Sequence, residues 1–535
     1  MKTRPDILII GGGSAGCVLA ARLSADPAVR VLLLEAGGGD RHPLNTVPAG
    51  FARMTRGIHS WGWRTVPQRH LNGRVLRFTQ AKVIGGGSTI NAQIYTRGHP
   101  ADYDNWNCDG WRFDDLLPYF RRAENNDTFD DEHHARGGPL SVSKPAAPLP
   151  VCEAYFEAAA ELGIPRNFDL AGATRDGVGY YQLTQRHARR CSAATAYLRP
   201  ALRRRNLTVR KNAQVLRLLI DGDGDGGAGA GGLVARGVEL ASGERIHAAQ
   251  VILSCGAIGS PRLLQLSGIG PAAHLESLGI QVVLDRPAVG ANLQDHLDLF
   301  TICECTGEHS YDKYARPHWS LIAGLRYLFT RRGPAASSLF ETGGFWYADS
   351  NAGDAAHPDI QLHLGLGSGI EAGVMHMNNA GVTLNSAYLR PRSRGSVRLA
   401  SADPRRPPLI DPNYWAESHD RAMSIRGLKL AQAIMRQPAL KPFIGRECLP
   451  GAAVKTDADY ARYAGQHAKT DHHPVGTCRM GSDADAVVDP RLRFNGIDNL
   501  RIADASIMPN LISANTNATV ITLAEKSADL LREDA

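Results

Sequence analysis

The sequence predicts an α/β protein of two domains. One carries a parallel sheet assembled from separated stretches of chain, and the other carries an antiparallel sheet with helices. Three observations predict this. A strand, a glycine-rich turn, a helix and a second strand follow one another between Asp6 and Gly37. Strand-like runs return between residues 207 and 257 and again at 500–505, far apart in the chain. From His309 to Pro450 the pattern changes to short alternating runs with interspersed tryptophans, the behaviour of an antiparallel sheet. The expected division is residues 1–308 as the main part of the first domain, with insertions contributing to the side of the second, then 309–460 as the second domain, then a return to the first domain over 461–535.

The first unit is the most informative. Ile7 to Ile10 has the length and β-branching of a buried parallel strand, Gly11-Gly12-Gly13-Ser14-Ala15-Gly16 supplies GxGxxG, and an alanine-rich helix runs from Ala15 to Leu23. Gly11 permits the tight turn, Gly13 lets backbone approach a pyrophosphate, and Gly16 lets the helix pack close to the strand. Helix N–H groups and the helix dipole then face the phosphates. The second strand, Val31 to Leu34, ends in Glu35, whose carboxylate, about 20 positions beyond the glycines, accepts from ribose hydroxyls and repels a 2′-phosphate. A Rossmann-like domain holding a dinucleotide other than NADP is expected.

Later elements extend both domains. Leu207 to Val209, Val215 to Ile220, Val234 to Leu240 and Gln250 to Leu253 read as strands. Asp221 to Gly232, nearly all Asp, Gly and Ala, has too little apolar surface to order itself and reads as a flexible hairpin tip. A helix is expected to begin at Ser260-Pro261, because proline suits a first helical turn. Gly344 to Tyr347, Ile360 to Leu366, Thr383 to Leu389 and Ser396 to Leu399 are the antiparallel strands, and Trp319, Phe345, Trp346 and Tyr347 are expected to fill a core rather than line a pocket. Leu500 to Ala505 is the returning strand, and a closing helix spans Ala518 to Leu531.

Composition narrows the classes. With 535 residues, 43% hydrophobic and 21% charged, the chain is an ordinary globular protein too large for one simple core. Its net charge of +7 is mild and its basic residues are scattered, which argues against nucleic acid as a partner. No run approaches the roughly 18 to 20 apolar residues of a transmembrane segment, and no signal-peptide order of residues opens the chain. Nine dispersed cysteines without zinc-type spacing predict no metal site and a cytoplasmic location, free or peripheral to the membrane.

Two further clusters carry chemistry. Lys82-Val83-Ile84-Gly85-Gly86-Gly87-Ser88-Thr89-Ile90-Asn91 places three glycines in a row, where backbone can pass close to a flat ligand. The tail holds His472-His473-Pro474-Val475-Gly476-Thr477-Cys478-Arg479-Met480-Gly481, then Asp504 to Pro509, then Asn515-Thr516-Asn517. Joined to GxGxxG with Glu35, Gly256 to Pro261 and Leu266 to Gly270, in this order and over nearly the whole chain, these blocks resemble the signatures of the glucose/methanol/choline oxidoreductase family. Within that family, Arg190 to Pro200 and Ser310 to Tyr314 look most like the sorbose dehydrogenase branch.

The resemblance implies FAD and the oxidation of a primary alcohol or sugar hydroxyl, of the ketose or polyol kind, to an aldehyde by hydride transfer to flavin N5. It places the general base at His473 and its hydrogen-bonding partner at Asn515. The FAD contacts it implies are Gly11, Gly13, Ser14, Ala15, Gly16, Glu35, Ala36, Val83, Gly86, Gly87, Asn91, Ala92, Val215, Ala257, Asp504, Ala505 and Thr516. Ile90 stands where some members carry a histidine bonded to the flavin, so the FAD is expected to be noncovalent. Electrons pass to a quinone, a dye or oxygen. An oxygen-using alcohol oxidase and a choline dehydrogenase are the alternative activities, and a flavin-binding protein without turnover is the alternative outside enzymes.

The chemistry suits these residues. A neutral imidazole, with an ordinary pKa of about 6.5, can take the hydroxyl proton near neutral pH. Pro474 biases His473 toward extended backbone, on which His472 points elsewhere. Asn515 offers both donors and an acceptor to the substrate oxygen, and the helix after it presents a positive N-terminus to a reduced, anionic flavin. The sequence places no acidic residue beside the site, so choline is expected to be a poorer substrate than a neutral polyol.

Overall fold

The computed structural model describes residues 4–146, 148–222, 232–348, 357–370, 377 and 379–534. The chain first lays down β1 (Ile7–Ile10), α1 (Ser14–Leu23) and β2 (Val31–Leu34). It then adds β3 (Leu207–Arg210), β4 (Gln250–Leu253) and α2 (Gly256–Leu266). Next come β5 (Leu297–Cys305), α3 (Pro317–Thr330), β6 (Thr342–Trp346), β7 (Ile360–Gly365), β8 (Gly381–Tyr388) and β9 (Ile444–Leu449). Strand β10 (Leu500–Ile502) and helix α4 (Asn517–Glu533) return to the first unit.

The parallel sheet has the order β3-β2-β1-β4-β10. Ile7 to Ile10 register with Val31 to Leu34 on one side and Gln250 to Leu253 on the other. These apolar runs sit between covering elements, as strands of a parallel sheet must, and Leu8, Ile9, Leu33, Ile252 and Leu253 are fully buried. The antiparallel sheet has the path β6-β7-β8-β5-β9. Its interior strand β5 begins at Leu297, so this sheet draws chain from before residue 309, where the change of sequence pattern sets the expected boundary. Val215–Gly222 and Leu233–Leu240 pair as the expected hairpin; its tip, 223–231, lies outside the described residues.

Helix α2 starts earlier than its proline suggests. It opens at Gly256, which places Pro261 inside the helix. Proline has no N–H for the carbonyl four residues back. That carbonyl, of Ala257, instead accepts from the Thr477 hydroxyl at 2.6 Å. Phe345 is fully buried beneath the Arg175 guanidinium, and Trp319, Trp346 and Tyr347 are partly buried; none of the four lines the central cavity.

Candidate active site

One large cavity lies between the carboxyl ends of the parallel strands and the antiparallel sheet. Its walls include Gly11, Gly13, Ser14, Ala15, Glu35, Ala36, Val83, Gly86, Gly87, Asn91, Ala92, Val215, Ala257, Asp504, Ala505, Asn515, Thr516 and His473, so all but one of the expected site residues meet there. Gly16 is the exception. A Cβ on it would stand 1.9 Å from the Gly11 carbonyl oxygen, so it serves the approach of α1 to the turn and does not face the cavity.

Three helix N-termini converge on this space, at Ser14, Gly256 and Asn517. The Ser14 hydroxyl donates to Asn517 Oδ1 at 2.8 Å, tying the first helix to the last. The second glycine segment docks on the first: Gly85 N–H donates to the Gly12 carbonyl at 2.7 Å, and a Cβ on Gly86 would fall 2.6 Å from Gly13 Cα. Glu35 accepts from Gly12 N–H at 2.8 Å and Gly37 N–H at 2.7 Å; burial pushes its carboxyl up while these two donors hold it down. Asp504, raised by burial, accepts from Gly256 N–H, the Ser260 hydroxyl and Ser506 N–H. A long groove of glycine backbone, positive helix ends and one ribose-type acid fits a dinucleotide, and Ile90 offers it no nucleophilic atom.

At the other end stands His473. Its backbone N–H donates to Asp295 Oδ1 at 2.7 Å, and the same carboxylate takes the hydroxyls of Thr470 and Tyr414, each at 2.5 Å. Burial pushes Asp295 up to about 6. His472 adopts φ 62°, so the alternation of an extended chain fails there, and the residue also borders the cavity.

A chain of hydrogen bonds sets the tautomers. His296 Nε2 lies 3.1 Å from the Leu389 carbonyl, which can only accept. Burial pushes His296 down to about 4, so the ring is neutral and its Nδ1 is an acceptor. His473 Nδ1, 3.0 Å away, therefore donates. Burial, and after it the fields of His296 and His363, hold His473 well below the ordinary histidine range, which leaves Nε2 as a lone pair. Asn515 Nδ2 faces that lone pair at 3.3 Å. The amide orientation is set by its Oδ1, which accepts from the Thr96 hydroxyl and Gln361 Nε2, each at 3.0 Å. His296, Asp471 and His473 also form a cluster of metal-ligand type, but two Nδ1 atoms 3.0 Å apart are accounted for by a hydrogen bond.

Carboxylates that could not be placed from the sequence stand near the base. Asp471 lines the cavity with one oxygen 3.3 Å from His473 Nδ1. Asp298, buried behind it, is held by Lys469 Nζ at 2.6 Å. Neither was legible because one precedes the histidine pair in a loop and the other lies in an apolar strand. The same holds for Asp295, His296, Thr96 and Gln361, four groups from three separate stretches of chain. The signal that could have found two of them is Gln294-Asp295-His296, a polar triple directly before a buried strand. Aromatic walls at Phe51, Trp61, Trp63 and Phe340 were also missed.

Sequence comparison agrees with this geometry. The chain belongs to the GMC oxidoreductase family, whose two models match residues 5–298 and 391–524. It is 39% identical to an alcohol dehydrogenase [acceptor] of Pseudomonas putida, over 98% of this chain and 95% of that protein. It is likewise 39% identical to the mitochondrial choline dehydrogenase of Homo sapiens, over 98% of this chain and 89% of that protein. Among solved structures it is similar to pyridoxine 4-oxidase from Mesorbium loti, at 34% identity with a TM-score of 0.88 over 99% of both chains. It is an FAD-dependent oxidoreductase acting on alcohols.

Proposed function

We propose that the chain oxidises a primary alcohol, or the terminal hydroxymethyl group of a polyol or ketose, to the aldehyde and passes the electrons to a quinone- or dye-type acceptor. The observation that supports it most directly is the chain from Leu389 through His296 and His473 to Asn515. FAD, held along the glycine turns, Glu35, Val215 and the Asp504–Ala505 turn, supplies the acceptor for the hydrogen and electron pair leaving the carbinol carbon. His473 Nε2 takes the hydroxyl proton. Asn515 Nδ2, which faces that lone pair at 3.3 Å without substrate, gives up the nitrogen to the substrate hydroxyl and donates to the substrate oxygen instead, binding it as alcohol and as alkoxide. His296 keeps the proton of His473 on Nδ1 and so keeps the basic nitrogen on the cavity side.

A neutral substrate fits the cancelled charge of Asp298 with Lys469. Asp471 on the cavity wall favours a second reading, in which a cationic alcohol such as choline binds, and the likeness to choline dehydrogenase supports that reading to a similar degree. Sorbitol, sorbose, short primary alcohols and choline, each mixed anaerobically with the purified protein, separate the readings by the rate at which the flavin bleaches. Neutral hydroxymethyl compounds are expected to be fastest. Choline as the fastest would move the protein to the second reading, and bleaching by none of them would leave a flavin-binding protein without turnover. Reduced protein is expected to reoxidise slowly in air and fast with a quinone analogue; the reverse would make it an oxidase.

A further inference from the structure

Helix α3 is held to the protein by one narrow face. Its buried residues are Ala323 and Tyr327, and the Tyr327 hydroxyl donates to the Ala188 carbonyl at 2.8 Å. At about 100° per residue, the opposite face carries Leu321, Ile322, Leu325, Leu328 and Phe329 within an arc of roughly 120°. These five are between 47% and 80% exposed. A helix on the surface of a water-soluble protein ordinarily turns its large apolar residues inward. Here the small residue faces the core and the large ones face out.

The charge on the helix and the residues directly flanking it has one sign. From Arg316 to Arg332 the chain carries Arg316, Arg326, Arg331 and Arg332 and no Asp or Glu. Arg326 lies on the flank of the apolar arc, and Arg331 and Arg332 follow the helix directly. In an isologous contact with a second copy, the patch would set guanidinium against guanidinium. A surface of lipid phosphates is the complement, with phosphate oxygens for the arginines and the acyl boundary for Leu, Ile and Phe. We propose that α3 lays this face into the headgroup region of an anionic phospholipid bilayer and seats the protein on the membrane surface without crossing it. No helix among the described residues is long and apolar enough to cross.

The test is co-sedimentation of the FAD-loaded protein with large unilamellar vesicles, phosphatidylcholine alone against phosphatidylcholine mixed with phosphatidylglycerol. Binding is expected on the anionic vesicles and to be at least about tenfold weaker on the neutral ones, since the arginines supply part of it. Leu325→Glu with Phe329→Glu should remove binding while FAD content and anaerobic bleaching by alcohol stay at parental levels, which shows that the variant is folded. Arg331→Gln with Arg332→Gln should weaken binding without disturbing the apolar face. Failure of the parent to bind anionic vesicles, or binding that survives Leu325→Glu with Phe329→Glu, overturns the proposal. So does a parent that ignores vesicles and is a dimer in the ultracentrifuge, if the glutamate variant makes it a monomer; the face then belongs to a second copy.

Discussion

His473 is neutral because it is buried, and because His296 and His363 oppose a positive charge beside them. Its ionisation therefore lies below the ordinary histidine value, in acid. The rate of flavin reduction is expected to be level from near neutral pH upward and to fall only as acid protonates Nε2. His473→Ala should retain FAD and lose on the order of 10² to 10⁴ in that rate, the worth of a positioned base. Asn515→Ala should lose less, since it orients and takes no proton. Stopped-flow reduction under nitrogen reads both, and a His473→Ala protein reducing at the parental rate would remove the residue from the mechanism. His296→Phe removes the acceptor for His473 Nδ1–H and leaves Asp471 as the neighbouring acid. The acid limb should then move to higher pH; an unmoved limb would mean that His296 does not position the base.

Helix α2 shows how elements far apart in sequence complete one another. The Ala257 carbonyl loses its helical partner to Pro261 and regains one from Thr477. Thr477→Val should lower the thermal midpoint, since a buried carbonyl left without a donor costs about 1–3 kcal/mol. Pro261→Ala restores an N–H at that place, so the double variant should be less damaged than Thr477→Val alone; equal damage would show that the hydroxyl matters for another reason. The sequence could not display this pairing, because it read Pro261 as a helix start from local preference. It did display the strands of the parallel sheet, whose apolar runs need no partner to be recognised, and the glycine turns, whose shape is local. It also displayed His473 and Asn515 through their blocks. The groups that set the tautomer of His473 were hidden, because each is an ordinary polar residue until the fold brings it within 3 Å or so of the others. Strand β5, which lies before residue 309 and pairs within the antiparallel sheet, carries no change of pattern of its own, because that change follows the strand instead of opening it.

At the scale of the molecule, charge links distant segments and gives stability a dependence on pH. His134 lies between Glu124 at 2.8 Å and Asp169 at 2.9 Å, and Arg97 holds the other oxygen of Glu124 at 2.7 Å. Burial alone lowers the His134 pKa, but its bonds to Asp169 and Glu124 outweigh burial and push it up to about 9. A folded value above the unfolded one of 6.5 gives a contribution that is complete below 6.5 and lost as pH rises through about 9. Relative to His134→Gln, the parent's unfolding midpoint should therefore fall across that window, and parallel curves would refute the linkage. The flavin should leave intact when acid denatures the protein, because Ile90 lines the cavity without a bonding atom; flavin that precipitates with the polypeptide would contradict this. The tie between Ser14 and Asn517, with β10 at the sheet edge, joins two halves of one groove that lie 503 residues apart. The glycine turn lays down the first half, yet the groove stays open until the segment near Asn517 has packed against it. Yellow colour in a refolding chain therefore reports that these two distant segments have met, and a fragment lacking the second should stay colourless.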